Sequence, residues 1–395
     1  MKKILKGLPP QVFIFGLVSF LTDVSSDMIF PLLPVFLTQY LGAPTTFLGL
    51  IEGVADSTTA FVTLGSGIWA DRTKDRSKLV LAGYSLSSFV KPLIAFAGTP
   101  WVVFFVRVAD RVGKGVRTSP RDALIAESVP SSLRGRAFGL QRSMDHAGAV
   151  TGPLLATLLL STVMKDLRHL FLLAAVPAIL SVFLILWKVR ETPSREIVPR
   201  ETFSLKPPHG KLRIYLAILF VFTLSYSTDA FLLLRAGELG VRPALVPVLW
   251  MILHAVKTTT TLPFGVLSDK IGRRRVILMG WCVYIFVYAT FAFAVSAWQV
   301  WLLFLIYGFH HGMTDGTMRA ALADYAEEGE RGQAFGWYYF TIGAAALPAS
   351  LVFGWIWNVA GAPAAFLISA SISALAACLL FFFLKLKPTR RRLAS

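Results

Sequence analysis

Between Trp101 and Ala126 the chain reads WVVFFVRVADRVGKGVRTSPRDALIA. It begins as an apolar run fit for lipid. It then carries Arg107, Asp110, Arg111, Lys114 and Arg117 before Pro120 and the Arg121–Asp122 pair. A charge at the centre of a lipid-facing helix costs from about 2.5 to more than 10 kcal/mol, depending on the reference state. The core of a water-soluble domain is no kinder, because an unpaired buried charge is expensive there too. One arrangement accommodates both the apolar run and its charges: a helix inside a membrane bundle, with its charged face turned to a watery hollow. That is the layout of a protein that moves solutes.

The rest of the chain fits such a bundle. Its 395 residues are 55% hydrophobic and only 15% charged, where a soluble domain carries about 25% charged residues. The net charge of +17 would suit nucleic acid if the cations formed one patch. Instead they fall in short segments between apolar runs, alternately rich and poor in Lys and Arg, which is the positive-inside pattern. Nucleic acid is therefore not an expected partner. Cys282 and Cys378 sit in separate apolar runs and imply neither a disulfide nor a metal site. MKKILKGLPP leads into a run of span length with no small-residue cleavage site, so the first helix is expected to act as its own insertion signal.

A span needs about 20 apolar residues. Twelve are expected, at 11–39, 46–70, 78–98, 101–125, 135–163, 168–189, 213–238, 244–268, 275–295, 298–325, 332–358 and 363–386. The basic segments are the N-terminus, the 71–78 turn, Arg134 with Arg136, the 190–213 segment, Lys270 with Arg273–Arg275, Arg331 and the tail. The opposite loops hold little more than Lys165, Arg168 and Arg242. Both termini are expected on the cytoplasmic side of a cytoplasmic (inner) membrane, among its lipids. Residues 191–211, RETPSREIVPRETFSLKPPHG, are too polar and proline-rich to span. They divide the chain into a six-helix bundle at 1–190, the linker at 191–211, a second bundle at 212–387 and a basic tail at 388–395.

An internal repeat supports the division. GIWADRTKDR at 67–76 is echoed by GVLSDKIGRR at 265–274, an offset of 198 from Asp71 to Asp269. Arg121-Asp-Ala-Leu with RGRAFG at 134–139 is echoed by Arg319-Ala-Ala-Leu with RGQAFG at 331–336. Both echoes follow the second and fourth spans of their half.

These residues carry a specific resemblance. Gly265, Asp269, Lys270, Gly272, Arg273 and Arg274 match the G-x-x-x-D-[RK]-x-G-R-[RK] loop of the major facilitator superfamily. Gly67, Asp71 and Arg72 match its N-terminal copy, which then departs: Lys74 stands in the glycine slot and Asp75 in the first arginine slot, with Arg76 following. Gly148, Gly152 and Pro153 resemble the G-x-x-x-G-P motif of the superfamily's 12-helix drug–proton antiporters, although small-xxx-small spacing is also ordinary helix packing. The resemblance spans essentially the whole chain. It implies an all-α fold of two six-helix bundles, related by a pseudo-twofold along the membrane normal. It also implies a monomer whose spans one, four, seven and ten line the cavity.

Depth follows from a rise of about 1.5 Å per residue. Asp23, Asp56, Lys91, Arg111, Asp145, His254 and His310 fall near mid-membrane, and Asp27, Glu52, Arg107, Arg142, Asp229, Lys257 and Asp315 within about two turns of it. With Asp110 and His311, these are the candidates for a shared wet chamber, since intramembrane charges face the bundle interior. Asp23 and Asp145 are the first candidates for proton coupling. Asp56 and Glu52 come next, because residues four apart share a helical face and two such carboxyls can hold one proton between them. His310–His311 reads as a hydrogen-bonded pair rather than a metal site. Lys91, Arg107 and Arg142 also suit structural ion pairs. At the loop motifs, Asp71 and Asp269 can cap a neighbouring helix N-terminus. Arg72, Arg76, Lys270 and Arg273 can pair with acids at the ends of spans four and ten, with Asp122 and Asp324 the candidates.

No zinc spacing, nucleophile elbow or ATP-hydrolysing motif is present in the sequence. The expectation is a transporter and not an enzyme, without a cofactor, driven by a proton or other ion gradient or by the solute's own. Proton-coupled export of a small organic solute is the leading reading. Uptake or exchange of an anionic or zwitterionic metabolite, lipid flipping, and a non-transporting membrane sensor are the alternatives.

Overall fold

A computed structural model describes residues 7–33, 36–43, 45–73, 75–164, 166–188, 208–226, 229–241, 245–327 and 330–384. Among them the chain is helical, with no strand. In the first half, α1 spans Pro10–Ile29, α2 Thr45–Arg72, α3 Arg76–Val90, α4 Pro100–Ser128 and α5 Arg134–Thr162. The sixth span is α6 (Leu167–Leu173) with α7 (Ala175–Lys188). In the second half, the seventh span is α8 (Gly210–Leu224) with α9 (Ala230–Glu238). It is followed by α10 (Val246–Ile271), α11 (Arg273–Phe293), α12 (Ala297–Tyr325) and α13 (Arg331–Phe383). Within α13, Gly361 takes φ +83°, a left-handed turn that glycine alone enters cheaply. There the eleventh span gives way to the twelfth.

A helix or helix pair stands at each of the twelve expected positions, but several are broken where straight runs are expected from the sequence. The first continues past Ile29 as a 3-10 turn at Phe30–Leu32 that contains Pro31. The third continues as Lys91–Phe96, a 3-10 stretch opened by Pro92. Proline removes a backbone donor and obstructs the preceding turn, which explains both. The seventh breaks after Leu224, where Ser225 and Tyr226 bond back three residues to Phe222 and Thr223. Of the 191–211 linker, residues up to 207 lie outside the described set, and α8 has already begun at Gly210.

Among the described residues, five helical stretches are long and apolar enough to cross a membrane by length and composition: Pro10–Ile29, Arg76–Phe96, Leu167–Lys188, Arg273–Phe293 and Arg331–Phe383. Helix α4, with its charged face, is not among them. The outer surface is apolar, with Phe61, Phe105, Trp187, Trp298, Trp355 and Phe382 exposed. A soluble monomer does not display apolar surface on that scale.

Each half packs on itself: α1 on α5 and α7, α4 on α2 and α3; then α8 on α13, and α12 on α10 and α11. The second half has an aromatic core in which Phe222 stacks on Trp281 at 4.2 Å and Tyr284 on Tyr288 at 4.1 Å. The halves meet along two seams, α5 against α10 and α2 against α13. Glycine sets both. A Cβ on Gly265 would collide with the Gly135 carbonyl, and one on Gly67 with the Gly332 carbonyl. Such small residues let backbones approach closely, and the two contacts are copies of each other under the repeat.

Candidate transport site and gate

At one end of the seams the loop motifs form a lock. Asp269, at the end of α10, accepts the backbone N–H groups of Gly135 (3.0 Å) and Arg136 (2.9 Å). These are orphan donors at the start of α5, where a carboxylate also meets the helix dipole. Arg273 pairs with Asp269 and lies 3.3 Å from Asp324, which Arg134 holds at 2.6 Å. In the other half Asp71 accepts from Gly332 (3.0 Å) and Gln333 (2.6 Å) at the start of α13. Arg76 pairs with Asp71 at 2.5 Å and with Glu127 at 2.7 Å, and Arg331 stands 3.9 Å from Glu127.

Two sequence expectations change here. The departure at Lys74–Asp75 does not remove the arginine: Arg76, one residue later, sits where Arg273 sits in its copy. Asp122 is not the loop partner. Its place is taken by Glu127, whose offset to Asp324 (324 − 127 = 197) equals that of Arg76 to Arg273 (273 − 76 = 197). Of the remaining loop residues, Gly272 carries the turn at φ +98°. Arg274 donates to the Phe381 carbonyl, Lys270 is exposed and Arg72 half-buried.

Asp122 belongs to a deeper network. Fully buried, it takes a bond from Arg121 Nε at 2.9 Å and another from the Tyr339 hydroxyl of the opposite half, with Arg319 at 3.8 Å. Tyr339 also receives Arg319 (3.0 Å) and Arg142 (3.3 Å). Arg142 in turn holds Asp145 at 2.7 Å, and Asp145 lies within electrostatic reach of Asp23 on α1. Helix α5 comes this close to α1 because of its glycines. A Cβ on Gly148 would meet Phe20 O at 2.5 Å and Asp23 Cβ at 2.9 Å, and one on Gly152 would meet Val24 O at 2.7 Å and Asp27 Cβ at 3.0 Å. Pro153 follows inside the same helix.

The charged face of α4 lies beside this pair. Lys91 donates to Ser26 Oγ at 2.8 Å and stands 4.0 Å from Asp110. Arg107 is 3.6 Å from Asp110 and 3.8 Å above the Phe30 ring, and Arg111 reaches toward the same ring at 5.9 Å. Asp27 is half-buried, within electrostatic reach of Lys114, Lys91 and Arg107. The side chains of Glu52 and Asp56 lie outside the described residues.

A second chain of polar groups crosses to the other half. His146 Nε2 lies 2.9 Å from Asp315 Oδ2, and His311 Nδ1 3.4 Å from Asp315 Oδ1. His311 Nε2 is 3.0 Å from the Tyr226 hydroxyl. Tyr307 OH lies 2.9 Å from both Tyr226 OH and Asp229 Oδ1. Tyr226 and Asp229 stand on either side of the break in the seventh span. His310 differs from its neighbour, since its Nδ1 is bound to the Gly280 carbonyl at 2.9 Å inside the bundle. His254 sits between Trp250 (5.0 Å) and His146 (5.6 Å), with neither ring nitrogen hydrogen-bonded. Lys257 is buried 5.8 Å from the Trp250 ring.

The sequence pattern of the Major Facilitator Superfamily matches residues 15–256 and again 214–395. The chain belongs to that superfamily. An uncharacterized MFS-type transporter of Methanocaldococcus jannaschii is 33% identical over 387 residues, 96% of each chain. The multi-drug resistance efflux pump PmrA of Streptococcus pneumoniae is 26% identical over 345 residues, 84% of this chain and 85% of the pump. The crystal structure of the human organic anion transporter MFSD10 superposes with a TM-score of 0.76 at 17% identity, covering 94% of this chain and 100% of that one. The protein is thus an integral, multi-pass membrane protein of a transporter superfamily, and its relatives are transporters rather than enzymes.

Within this superfamily member the candidate residues fall into three groups. Asp145 and Arg142 form one chain with Tyr339, with Asp23 beside it. Lys91, Arg107 and Asp110 form a compact ion cluster, and Asp229, His311 and Asp315 join the cross-half chain. His146, Tyr226, Tyr307, Tyr339, Arg134, Arg331 and Glu127 were not singled out as site residues from the sequence. The repeat offset would have found Glu127. Nothing in the sequence distinguishes the tyrosines from ordinary core aromatics.

Proposed function

We propose that the protein is a proton-coupled secondary transporter of a small organic solute that works by alternating access, its two halves (1–190 and 212–387) rocking about the glycine seams. The single observation that carries this reading is Asp145 tied through Arg142 and Tyr339 to the opposite half, with Asp23 packed at the α1–α5 contact beside it, where in this reading the two carboxyls share one proton. Removing the shared proton adds a charge beside Arg142 and draws it from Tyr339, so proton occupancy biases the closed arrangement. A ligand shifts an equilibrium only through such differential affinity. The positive-inside pattern puts both termini and the Asp71/Asp269 lock on the cytoplasmic side of a cytoplasmic membrane. No cofactor is needed, because the proton gradient supplies the energy. Export by antiport is favoured by the efflux-pump relative and by the placing of Gly148 and Gly152 against α1.

A second reading, movement of an anionic solute, is favoured by the cations Lys91, Arg107, Arg111 and Lys114 around the site. The fold neighbour described as an organic anion transporter agrees with it. Proteoliposomes with an imposed pH gradient test the proposal. Gradient-driven solute flux is expected in the parent protein and is expected to stop in both Asp23→Asn and Asp145→Asn. Flux that still follows the pH gradient in the two variants would remove the carboxyl pair from the mechanism.

A further inference from the structure

The seam between α5 and α10 closes by steps of one helical turn. A Cβ on Gly139 would meet the Thr261 carbonyl at 2.9 Å, and one turn on, the Ser143 hydroxyl donates to the Thr258 carbonyl. At the next turn backbone gives way to two rings, His146 and His254, with centroids 5.6 Å apart. His146 is committed, its Nε2 lying 2.9 Å from Asp315. His254 is not: both its ring nitrogens are buried and neither has a hydrogen-bond partner. A neutral imidazole offers one donor and one acceptor, and leaving such buried groups unanswered is costly.

Two neighbours on α10 share that face. Trp250, His254 and Lys257 fall within about 60° of one another around the helix. The Trp250 ring stands 5.0 Å from the His254 ring and 5.8 Å from Lys257 Nζ. Lys257 is only 5% exposed, yet among the described residues its ammonium has neither a hydrogen bond nor an ion pair. A lysine is almost never buried in that way without a partner. Asp229 and Asp315 act on it only from a distance, and both are engaged elsewhere: Asp229 by Tyr307 at 2.9 Å, Asp315 by His146 and His311. Lys91, by contrast, donates to Ser26 Oγ. Trp250 and His254 remain half-buried rather than sealed. An ammonium and an imidazole left unanswered beside an indole, where the two halves meet, point to an acceptor that the chain does not itself provide.

We propose that Trp250, His254 and Lys257 form the solute-recognition face of the second half, and that the solute is a small aromatic carboxylate. Its acidic group accepts from the Lys257 ammonium and the His254 imidazole, while its ring lies on Trp250. The ammonium supplies a charge-assisted hydrogen bond to the carboxylate, and the indole supplies a flat apolar face on which an aromatic ring stacks. A cation is disfavoured at this face, because Lys257 repels it and the two nearest acids are taken. The inference rests on the transport reading above and gives its anionic form a substrate class. It makes no use of the Asp23–Asp145 pair.

The test uses the purified full-length protein and calorimetric titration with benzoate, indole-3-acetate and cyclohexanecarboxylate, with tetraphenylphosphonium as the cationic comparison. Both aromatic acids are expected to bind, and more tightly than cyclohexanecarboxylate; Trp250→Leu is expected to abolish that preference. Lys257→Gln is expected to weaken aromatic-acid binding by about tenfold or more, the loss of one charge-assisted hydrogen bond, while Lys257→Arg retains most of it. The unliganded protein separates recognition from packing. An uncompensated buried charge does not stabilise a fold, so Lys257→Gln is expected to leave the thermal unfolding midpoint in detergent unchanged or raised, whereas a lysine that held Asp229 and Asp315 together would lower it on removal. A lowered midpoint, an aromatic-acid affinity indifferent to Lys257→Gln, failure of both aromatic acids to bind, or binding of the cation alone overturns the inference. Flux of the same solutes in proteoliposomes distinguishes the two readings. Cation flux without anion flux sinks this inference alone; Lys257-dependent binding with no flux of any of these solutes sinks the transport reading and leaves the recognition face standing.

Discussion

Replacing Asp269 by Asn tests whether the loop lock sets the balance between closed and open forms. The carboxylate accepts two backbone N–H bonds at 3.0 and 2.9 Å from the start of α5 and pairs with Arg273. An asparagine keeps one oxygen acceptor, so one N–H bond survives, while the other bond and the ion pair are lost. Hydrogen bonds to charged groups contribute about 1.5–3 kcal/mol each. Arg273 retains Asp324 and the Ser131 carbonyl, so its loss is partly offset. The net change is about 2 kcal/mol against the closed form, or roughly 30-fold in the closed-to-open ratio. Spin labels at Lys78 and Arg275, both exposed and in opposite halves at this end, report the separation once the exposed Cys282 and Cys378 are replaced by serine. Asp269→Asn is expected to shift the distance distribution to longer values and to slow transport while leaving solute affinity close to that of the parent. An unchanged distribution, or loss of binding in step with transport, would refute the gating argument.

Two further outcomes follow from the same geometry. Gly265→Ala places a Cβ against the Gly135 carbonyl and is expected to push the halves apart in the same spin-label measurement. Gly65→Ala, which meets nothing within 4 Å, is expected to leave the distances alone, and equal effects would discount the seam. Arg76→Ala removes a fully buried guanidinium from between Asp71 and Glu127 and is expected to cost about 3 kcal/mol, the low end for breaking a buried pair, because both acids keep some solvent. A clear fall in the thermal unfolding midpoint in detergent is the readout, with Arg76→Lys intermediate; no change would mean the pair is not holding the fold.

Much of the architecture was legible before any coordinates, because it depends on local chemistry. Whether a stretch can enter lipid is decided by its own composition, so the apolar runs gave the spans and α4 announced its charged face. The repeat at an offset of 198 paired Asp71 with Asp269, and the helix-capping role suggested by that pairing is where the structure places both carboxylates. The breaks at Pro31 and Pro92 were visible as prolines, although the straight runs drawn through them were not corrected by hydropathy alone.

Partner choice was decided only by the tertiary structure. Asp315 is 169 residues from His146 in the chain, and Asp122 is 217 residues from Tyr339. No periodicity encodes such distances. Asp122 and Glu127 looked interchangeable as acids near the end of α4, and five residues of helix rotation turned one inward to Tyr339 and the other to Arg76. The sequence by itself determined that charges must face a common interior, since lipid excludes them. Which acid meets which base was left to the close approach of backbones at Gly67, Gly148 and Gly265, because an ion pair depends on ångström separations that only packed helices define.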